Sequence, residues 1–343
     1  MKIRVVLSGF QSPHYAQALY QGIAQQLTPE DSPVLVFVRP DQQHISIGLH
    51  QNIDLELNLS WCEQQNIPVI RRSVGGGTVL LDADQLFFQF IFPDKLLPNR
   101  PNEIFTKLLT PVVATFKDLG CTQAQLVAND IQVNGKKICG TGAANIDSAK
   151  VVVGSFMSDF DYDTMTNCIN APSSDFQSCF SNLMQQRMTT LHEQLDSIPN
   201  DSEIIEKLCF HVKHYLGYNT EISTLTIAES QAIQEAITEL NDEDWLHSAS
   251  QKLIKNGIKI AANTYLLEKT FSLDSAITLR LLVANDCIEE CWIKTTSLDA
   301  ALENLAAKIT QARPHTQHIA PLLGDEHANL HSCFEELLDF QPY

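Results

Sequence analysis

The chain has 343 residues and a formal net charge of −18, with 44% hydrophobic and 19% charged residues. This length allows about two domains with sizeable cores, and the acidic excess argues against nucleic acid as a partner. No apolar run is long enough for a membrane span or a secretory signal, so no membrane partner is expected. Nine cysteines without a repeated spacing favour reduced thiols and hence a cytoplasmic location.

Hydrophobic periodicity predicts alternating strands and helices through the first 240 residues. A strand at 3–10, an amphipathic helix at 14–27 and a buried strand at 34–38 come first, and residues 44–48 alternate as the expected hairpin partner of that strand. A serine-rich stretch at 172–180 is predicted to be a loop. The other predicted elements are helices at 55–65, 105–119, 203–216 and 228–240, and strands at 67–70, 86–92, 126–133 and 151–157.

The last hundred residues favour a separate small unit. Acidic residues around 241–245 mark the predicted junction. Strands are expected at 258–267, 277–284 and 288–295, and helices at 298–310 and 326–338. The fold class predicted is therefore α/β (α+β), with mixed sheets flanked by helices in residues 1–240 and a small α+β domain in residues 245–343.

A glycine loop between two predicted strands is the first candidate for chemistry. Arg71 and Arg72 precede Gly75, Gly76 and Gly77, and Thr78 and Val79 begin the next strand. Residues without Cβ atoms let a ligand approach the backbone, whose N–H groups can face an anion. Arginine adds a planar, charged fork that suits carboxylate or phosphate. A flexible turn with solvated arginines is the alternative interpretation.

A hairpin with two lysines is the second candidate. Asn134-Gly135 between apolar residues is a strong signal for a tight turn. It places Lys136 and Lys137 at the head of a strand, and one of them should face outward because strand side chains alternate. A second glycine-bearing loop, Gly140-Thr141-Gly142, follows at once. A solvated hairpin tip is the alternative here.

Together the motifs resemble the lipoate–protein ligase A family, within the biotin/lipoate ligase superfamily. The residues that carry the resemblance are Arg-Arg-x-x-Gly-Gly-Gly-x-Val at 71–79, Asn-Asp-Ile at 129–131 and Gly-Lys-Lys-Ile-x-Gly at 135–140. The resemblance covers nearly the full chain, tightly at 70–157 and loosely afterwards. Arg187–Leu191 resembles a region that follows a mobile loop in these ligases, and Asp244-Trp245 resembles the start of their accessory domain.

The resemblance implies a biotin/lipoate ligase-like fold and an ATP-dependent ligase. Such enzymes use ATP and Mg²⁺ to convert lipoate to lipoyl-AMP, and then acylate a lysine of a lipoyl domain. The expected partners are lipoyl domains of 2-oxoacid dehydrogenase complexes or acceptors like the glycine-cleavage H protein. Lys137 matches the essential lysine, expected to contact the acyl carbonyl and the α-phosphate. Asp130 is expected to bind Mg²⁺ or to orient the acceptor lysine, or it simply pairs with Lys137.

The remaining site residues follow from the same resemblance. One of the two arginines is expected to hold phosphate or ribose, with Arg72 favoured. The residues expected to bind nucleotide or substrate are Arg71, Arg72, Gly75, Gly76, Gly77, Thr78, Val79, Asn129, Gly140, Thr141, Gly142, Val153 and Gly154. Val79, Phe88 and Val153 are candidate walls for the lipoyl tail, although core packing explains each equally well.

Three departures from the family pattern leave the acyl preference, the acceptor and full ligase activity open. Leu81 stands where the family has histidine, Ala143-Ala144 replace a polar pair containing arginine, and Val153 precedes Gly154 where histidine is usual. One alternative is therefore an octanoyl- or lipoyltransferase that forms a thioester, with Cys139 the nearest thiol. Another is a non-catalytic protein that binds lipoyl-AMP or a lipoyl domain.

Overall fold

A computed structural model describes residues 1–248, 254–273, 276–295 and 300–339. The first two residues of the helix predicted at 298–310, and the last four of the predicted C-terminal domain, lie outside these ranges. The chain forms two compact units. The first unit contains residues 1–49, 62–165 and 185–248; the second contains 50–61, 166–184 and the described part of 249–343. The predicted division of the chain at 240–245 stays a prediction.

The described residues form sixteen strands and thirteen α-helices. The strands are β1 Lys2–Gln11, β2 Val34–Pro40, β3 His44–Ile47, β4 Val69–Arg71, β5 Val79–Leu81, β6 Gln85–Pro93, β7 Gln125–Val127, β8 Asp130–Val133, β9 Lys136–Cys139, β10 Thr141–Ile146, β11 Ala149–Met157, β12 Asn219–Ile222, β13 Gly257–Ala261, β14 Thr264–Ser272, β15 Ala276–Ala284 and β16 Cys287–Thr295. The helices are α1 Pro13–Gln26, α2 Ile53–Glu56, α3 Leu59–Gln64, α4 Pro101–Asp118, α5 Tyr162–Cys168, α6 Ser174–Arg187, α7 Leu191–Gln194, α8 Asp201–His211, α9 Ile227–Leu240, α10 Glu243–Leu246, α11 Ala300–Ile309, α12 Thr316–Leu323 and α13 His331–Leu338.

A six-stranded sheet in the order β10-β11-β6-β2-β1-β12 forms the centre of the first unit. Because strand side chains alternate, its central strands supply two different cores. On β6, Phe88, Phe90 and Phe92 pack into one core, whereas Phe87 and Ile91 pack into the other. Helices α4 and α8 contribute apolar residues to the first core, and α1 and α9 contribute to the second. The predicted mixed sheets flanked by helices are confirmed.

Two three-stranded sheets of the first unit carry the motifs. One has the order β4-β3-β5 and contains the strands on either side of the glycine loop; the other has the order β7-β8-β9 and contains the lysine hairpin. The prediction that residues 44–48 pair with 34–38 is wrong, because β3 pairs with β4 and β5 instead. Pro40, which ends β2, lacks the N–H needed to extend a ladder there.

Helical structure also differs from the predictions in two places. The predicted loop at 172–180 is wrong, since α6 begins at Ser174 and buries Phe176 and Phe180. The Ser173 hydroxyl accepts the Phe176 N–H at 3.0 Å and caps this helix. The helix predicted at 203–216 ends at His211 and continues as a π-helical turn to Leu216. Gly217, with φ of +74°, then terminates it as predicted.

The second unit contains an antiparallel sheet in the order β13-β14-β15-β16. Its apolar face packs against α11, α12 and α13, which confirms the predicted α+β character of this part of the chain. The strand predicted at 258–267 is two strands, β13 and β14, separated by a turn in which Asn263 has φ of +53°. Within the described residues, no helix combines the length and apolarity that a bilayer crossing requires.

Candidate functional site

Arg72 holds the glycine loop in place through hydrogen bonds to its backbone. Its guanidinium donates to the carbonyls of Gly77 at 2.7 Å and Gly75 at 3.2 Å, and to that of Ser46 on β3 at 2.7 Å. These bonds fix the loop carbonyls toward the protein. They also show that Arg72 positions the loop, whereas its predicted contact with phosphate or ribose stays a prediction. Thr78, at the end of the loop, is buried.

Gly48, a residue outside the predicted site, makes the conformation of this loop possible. A Cβ atom built on Gly48 would lie 2.1 Å from the Gly76 carbonyl oxygen, so only glycine fits there. The Leu49 N–H also donates to the Val74 carbonyl at 3.1 Å. Gly76 itself has φ of +111°, which strains any side chain. The only sequence signal for Gly48 was its place at the end of the alternating run 44–48.

Arg71 has no exposed surface. Its guanidinium donates to the backbone carbonyls of Leu246 at 2.8 Å and Leu49 at 3.0 Å. The Trp245 indole in turn donates to the Arg71 carbonyl at 3.0 Å. The two arginines therefore both bind backbone, and Arg71 organises segments beside the loop. Its predicted role in binding nucleotide stays a prediction.

The lysine hairpin has the tight turn that Asn134-Gly135 predicted, with φ of +52° and +80°. The Lys136 ammonium donates to the Gln185 carbonyl at 3.1 Å, at the surface. Lys137 points the other way, with its ammonium 3.7 Å from the Asp130 carboxylate. A register shift between β8 and β9 produces a bulge at this point, a feature that redirects side chains. The predicted alternation of the two lysines is confirmed.

The second glycine-bearing loop lies against Lys137. A Cβ atom built on Gly140 would be 3.1 Å from the Lys137 ammonium, so a side chain at 140 would crowd the amine. The Thr141 hydroxyl donates to the Asn129 carbonyl, which ties the start of β10 to the turn before Asp130. Behind the lysine, the Thr189 N–H donates to the Lys137 carbonyl at 2.9 Å. The stretch at 187–191 therefore supports the lysine strand.

The two motifs meet at β10. The Gly75 N–H approaches the Ala143 carbonyl at 3.4 Å, and a Cβ atom on Gly142 would lie 3.2 Å from the Gly75 carbonyl oxygen. Asp130 is buried and the Lys137 side chain is about one-fifth exposed. A buried carboxylate, an accessible ammonium and the glycine loop thus surround one region of the first unit. Such an arrangement can bind an anion and stabilise charge that develops on it.

Apolar side chains occupy the three positions where the chain departs from the family pattern. Leu81, Ala144 and Val153 are partly buried and pack against the same core beside the glycine loop. Gly154 has a packing role, because a Cβ atom there would lie 2.5 Å from the Phe88 ring. Val79 is also partly buried. Their predicted contacts with substrate stay predictions, and the packing explains Gly154 and Phe88 without a ligand.

The nearest thiol is unsuited to nucleophilic chemistry. Cys139 is buried, and burial raises the pKa of its thiol to about 12. The thiolate, which is the reactive form, is therefore scarce at neutral pH. In the described part of the chain, no group of three or more histidine, cysteine, aspartate or glutamate side chains could hold a metal ion by itself.

The pH dependence of stability tests the electrostatics at the end of β5. Burial raises the pKa of Asp82 to about 6, so its stabilising contribution is complete below pH about 4 and is lost as pH rises through 6. Burial lowers the pKa of His44, the cross-strand partner of Leu81, to about 4, so its contribution is present above pH about 6.5 and is lost on acidification. Acidification from pH about 6.5 to 4 therefore stabilises the fold through Asp82 and destabilises it through His44.

We expect Asp82→Asn to stabilise the fold at pH 7 by about 1–2 kcal/mol, after allowance for partial exposure. Stability should then fall steeply from pH 6.5 to 4, because His44 is no longer opposed. Urea unfolding at a series of pH values measures both effects. Parallel pH profiles for the variant and the original chain would contradict the assignment.

Comparison with known proteins agrees with the geometry. A family model described as the lipoyl protein ligase A/B catalytic domain matches residues 12–213. The chain is 27% identical over 284 residues to lipoate-protein ligase LplJ of Bacillus subtilis, covering 82% of this chain and 81% of that protein. It is also 27% identical over 228 residues to lipoate–protein ligase 1 of Staphylococcus aureus, covering 66% of this chain and 63% of that protein, just under two thirds of its length.

A solved structure shows the same fold. It is a bipartite lipoate protein ligase from Thermoplasma acidophilum, described together with its E2 lipoyl domain, with a TM-score of 0.67 and 22% identity. The match covers 74% of this chain and 98% of that one. The resemblance found in the motifs is thus confirmed by a family match over more than half of the sequence. The chain belongs to the lipoyl protein ligase A/B catalytic-domain family of enzymes.

Proposed function

We propose that this protein is an ATP-dependent lipoate–protein ligase. In the first step, a carboxylate oxygen of lipoate attacks the α-phosphorus of ATP, the bond to the β-phosphate breaks, and pyrophosphate leaves. In the second step, a lysine amine of an acceptor protein attacks the acyl carbonyl of lipoyl-AMP. The amine loses its proton, the amide forms and AMP leaves.

The observation that carries the proposal is the position of Lys137. Its ammonium lies beside Gly140 and 3.7 Å from Asp130, on the hairpin that adjoins the glycine loop through β10. The first step brings two anions together, so a fixed cation is needed at the reacting phosphate. Lys137 would contact the acyl carbonyl and the α-phosphate. The N–H groups of Gly76 and Gly77 would bind the other phosphate oxygens.

Asp130 suits a second charge-handling role. Mg²⁺ is commonly held by one or two carboxylates together with substrate phosphates, and Asp130 is a buried carboxylate beside the proposed phosphate position. When bound there, the ion would neutralise charge on the phosphates. In the second step Asp130 would orient the acceptor amine, whose ordinary pKa near 10.4 leaves it mostly protonated at neutral pH.

The expected acceptor is a lipoyl domain. The similarity to the Thermoplasma ligase, which is described with its E2 lipoyl domain, supports a lipoyl domain as the acceptor. The proposed acceptors are lipoyl domains of 2-oxoacid dehydrogenase complexes or proteins like the glycine-cleavage H protein. The reduced cysteines expected from the sequence suit the proposed cytoplasmic location. Lipoate is the proposed acyl substrate, and the apolar side chains of Leu81, Ala144 and Val153 supply surface near the site.

The experiment that tests the proposal follows pyrophosphate release from ATP in the presence of lipoate and Mg²⁺. We expect lipoate-dependent release, and a mass increase of one lipoyl group on an added lipoyl domain. Octanoyl transfer from a carrier protein without ATP would instead identify a transferase. Binding of lipoyl-AMP without turnover would identify a non-catalytic protein. Either result would overturn the ligase assignment.

A further inference from the structure

Arg71 joins two backbone segments that are distant in sequence. Its guanidinium has no exposed surface and donates to the carbonyls of Leu49 at 3.0 Å, Leu246 at 2.8 Å and Ser248 at 3.3 Å. It also approaches the Gly48 carbonyl at 3.4 Å. A buried guanidinium needs such acceptors, because the group stays protonated and is no longer hydrated by water.

Two of these carbonyls mark the ends of chain segments. The chain passes from the first unit to the second at three places, and Leu49 and Ser248 are the last residues of the first unit at two of them. One side chain therefore holds both outgoing segments within the first unit. The Trp245 indole closes the connection by donating to the Arg71 carbonyl at 3.0 Å.

The same segments support the glycine loop. Gly48 allows the Gly76 carbonyl to lie where a Cβ atom would otherwise be, and the Leu49 N–H donates to Val74. The Arg72 N–H donates to the Ile47 carbonyl at 2.9 Å. A displacement of the loop on nucleotide binding must therefore move residues 47–49. Arg71 holds the carbonyls of Gly48 and Leu49 together with those of Leu246 and Ser248. Packed backbone of this kind transmits small shifts, because it has no free volume to absorb them.

We propose that Arg71 is a positioning residue that couples occupancy of the glycine loop to the outgoing segment Trp245–Ser248. The proposal rests on the proposed function, since it takes ATP as the ligand of the loop. Lysine cannot replace arginine in this role, because a single ammonium cannot span carbonyls on two separate segments as the planar fork does. Trp245, whose indole contacts Arg71, is the natural reporter.

The experiment uses the full chain with Trp61→Phe and Trp292→Phe, which leaves Trp245 as the one tryptophan, since the sequence has three. We expect ATP with Mg²⁺ to shift the emission of Trp245, and Arg71→Lys to abolish that shift while calorimetry still detects ATP binding. A purely structural arginine would not make Trp245 respond to nucleotide. Hydrogen exchange on the unsubstituted chain gives a second measurement, in which ATP should change the protection of amides at 47–49 and 245–248.

The outcomes separate the two proposals. ATP binding with no change in Trp245 emission and no change in amide protection would overturn the coupling and leave the ligase proposal standing. An unchanged emission shift in Arg71→Lys would also overturn it. Absence of ATP binding to the unsubstituted chain would overturn both.

Discussion

Lys137→Ala is expected to reduce lipoate-dependent pyrophosphate release by about a hundredfold to a thousandfold, the usual effect of removing one preorganised group from a charged transition state. The amine lies 3.7 Å from Asp130 and beside Gly140, and its side chain is largely sheltered from water. Its loss leaves the buried Asp130 carboxylate without this cation, so negative charge would then repel the phosphates. Initial rates at saturating ATP and lipoate measure the effect.

The neighbouring lysine provides the matched control. Lys136 has the same side chain on the same strand, but its ammonium donates to the Gln185 carbonyl at the surface. We expect Lys136→Ala to retain the rate within about threefold, because exposed charges contribute little. Circular dichroism should show the same fold for both variants. Equal losses in the two variants, or full activity in Lys137→Ala, would remove Lys137 from its proposed role.

Gly48→Ala is expected to destabilise the fold by about 1–3 kcal/mol and to weaken ATP binding at the same time. The added methyl group would lie 2.1 Å from the Gly76 carbonyl oxygen, so either the loop or β3 must move. The atom in the way belongs to the backbone, which cannot rotate aside as a flexible side chain can. Urea unfolding and calorimetric titration with ATP measure the two effects.

Gly75→Ala tests whether a ligand approaches the glycine loop, because this substitution should leave the shape of the loop unchanged. Nothing lies within 4 Å of a Cβ atom built on Gly75, so the fold should be as stable as before. In the proposed complex that space is next to the phosphates, and we expect kcat/KM for ATP to fall about tenfold to a hundredfold. Unchanged ATP kinetics in Gly75→Ala would show that the ligand does not approach the loop from this side.

The sequence by itself predicted the elements with strong periodicity and the two motifs. The run at 86–92 and the Asn134-Gly135 turn are local signals, because a continuous apolar run and positive φ are properties of a few adjacent residues. The motif spacing also identified the family before any geometry. Local signals failed at β3, whose partners are set by backbone pairing across the chain, and at α6, where serine-rich composition concealed a buried stripe of phenylalanines.

Tertiary structure decided which charged groups face the candidate site. Adjacent arginines look equivalent in sequence, yet Arg72 holds the loop carbonyls and Arg71 holds residues about 175 positions away. The role of Gly48 likewise depends on Gly76 lying against it. A side chain's direction follows from which distant carbonyls remain to be satisfied once the chain has folded, and no local pattern contains that information. For this reason the sequence determined the family, the motifs and, through the resemblance, the choice of Lys137, whereas the fold determined that Arg71 and Arg72 bind backbone carbonyls and that Gly48 shapes the loop.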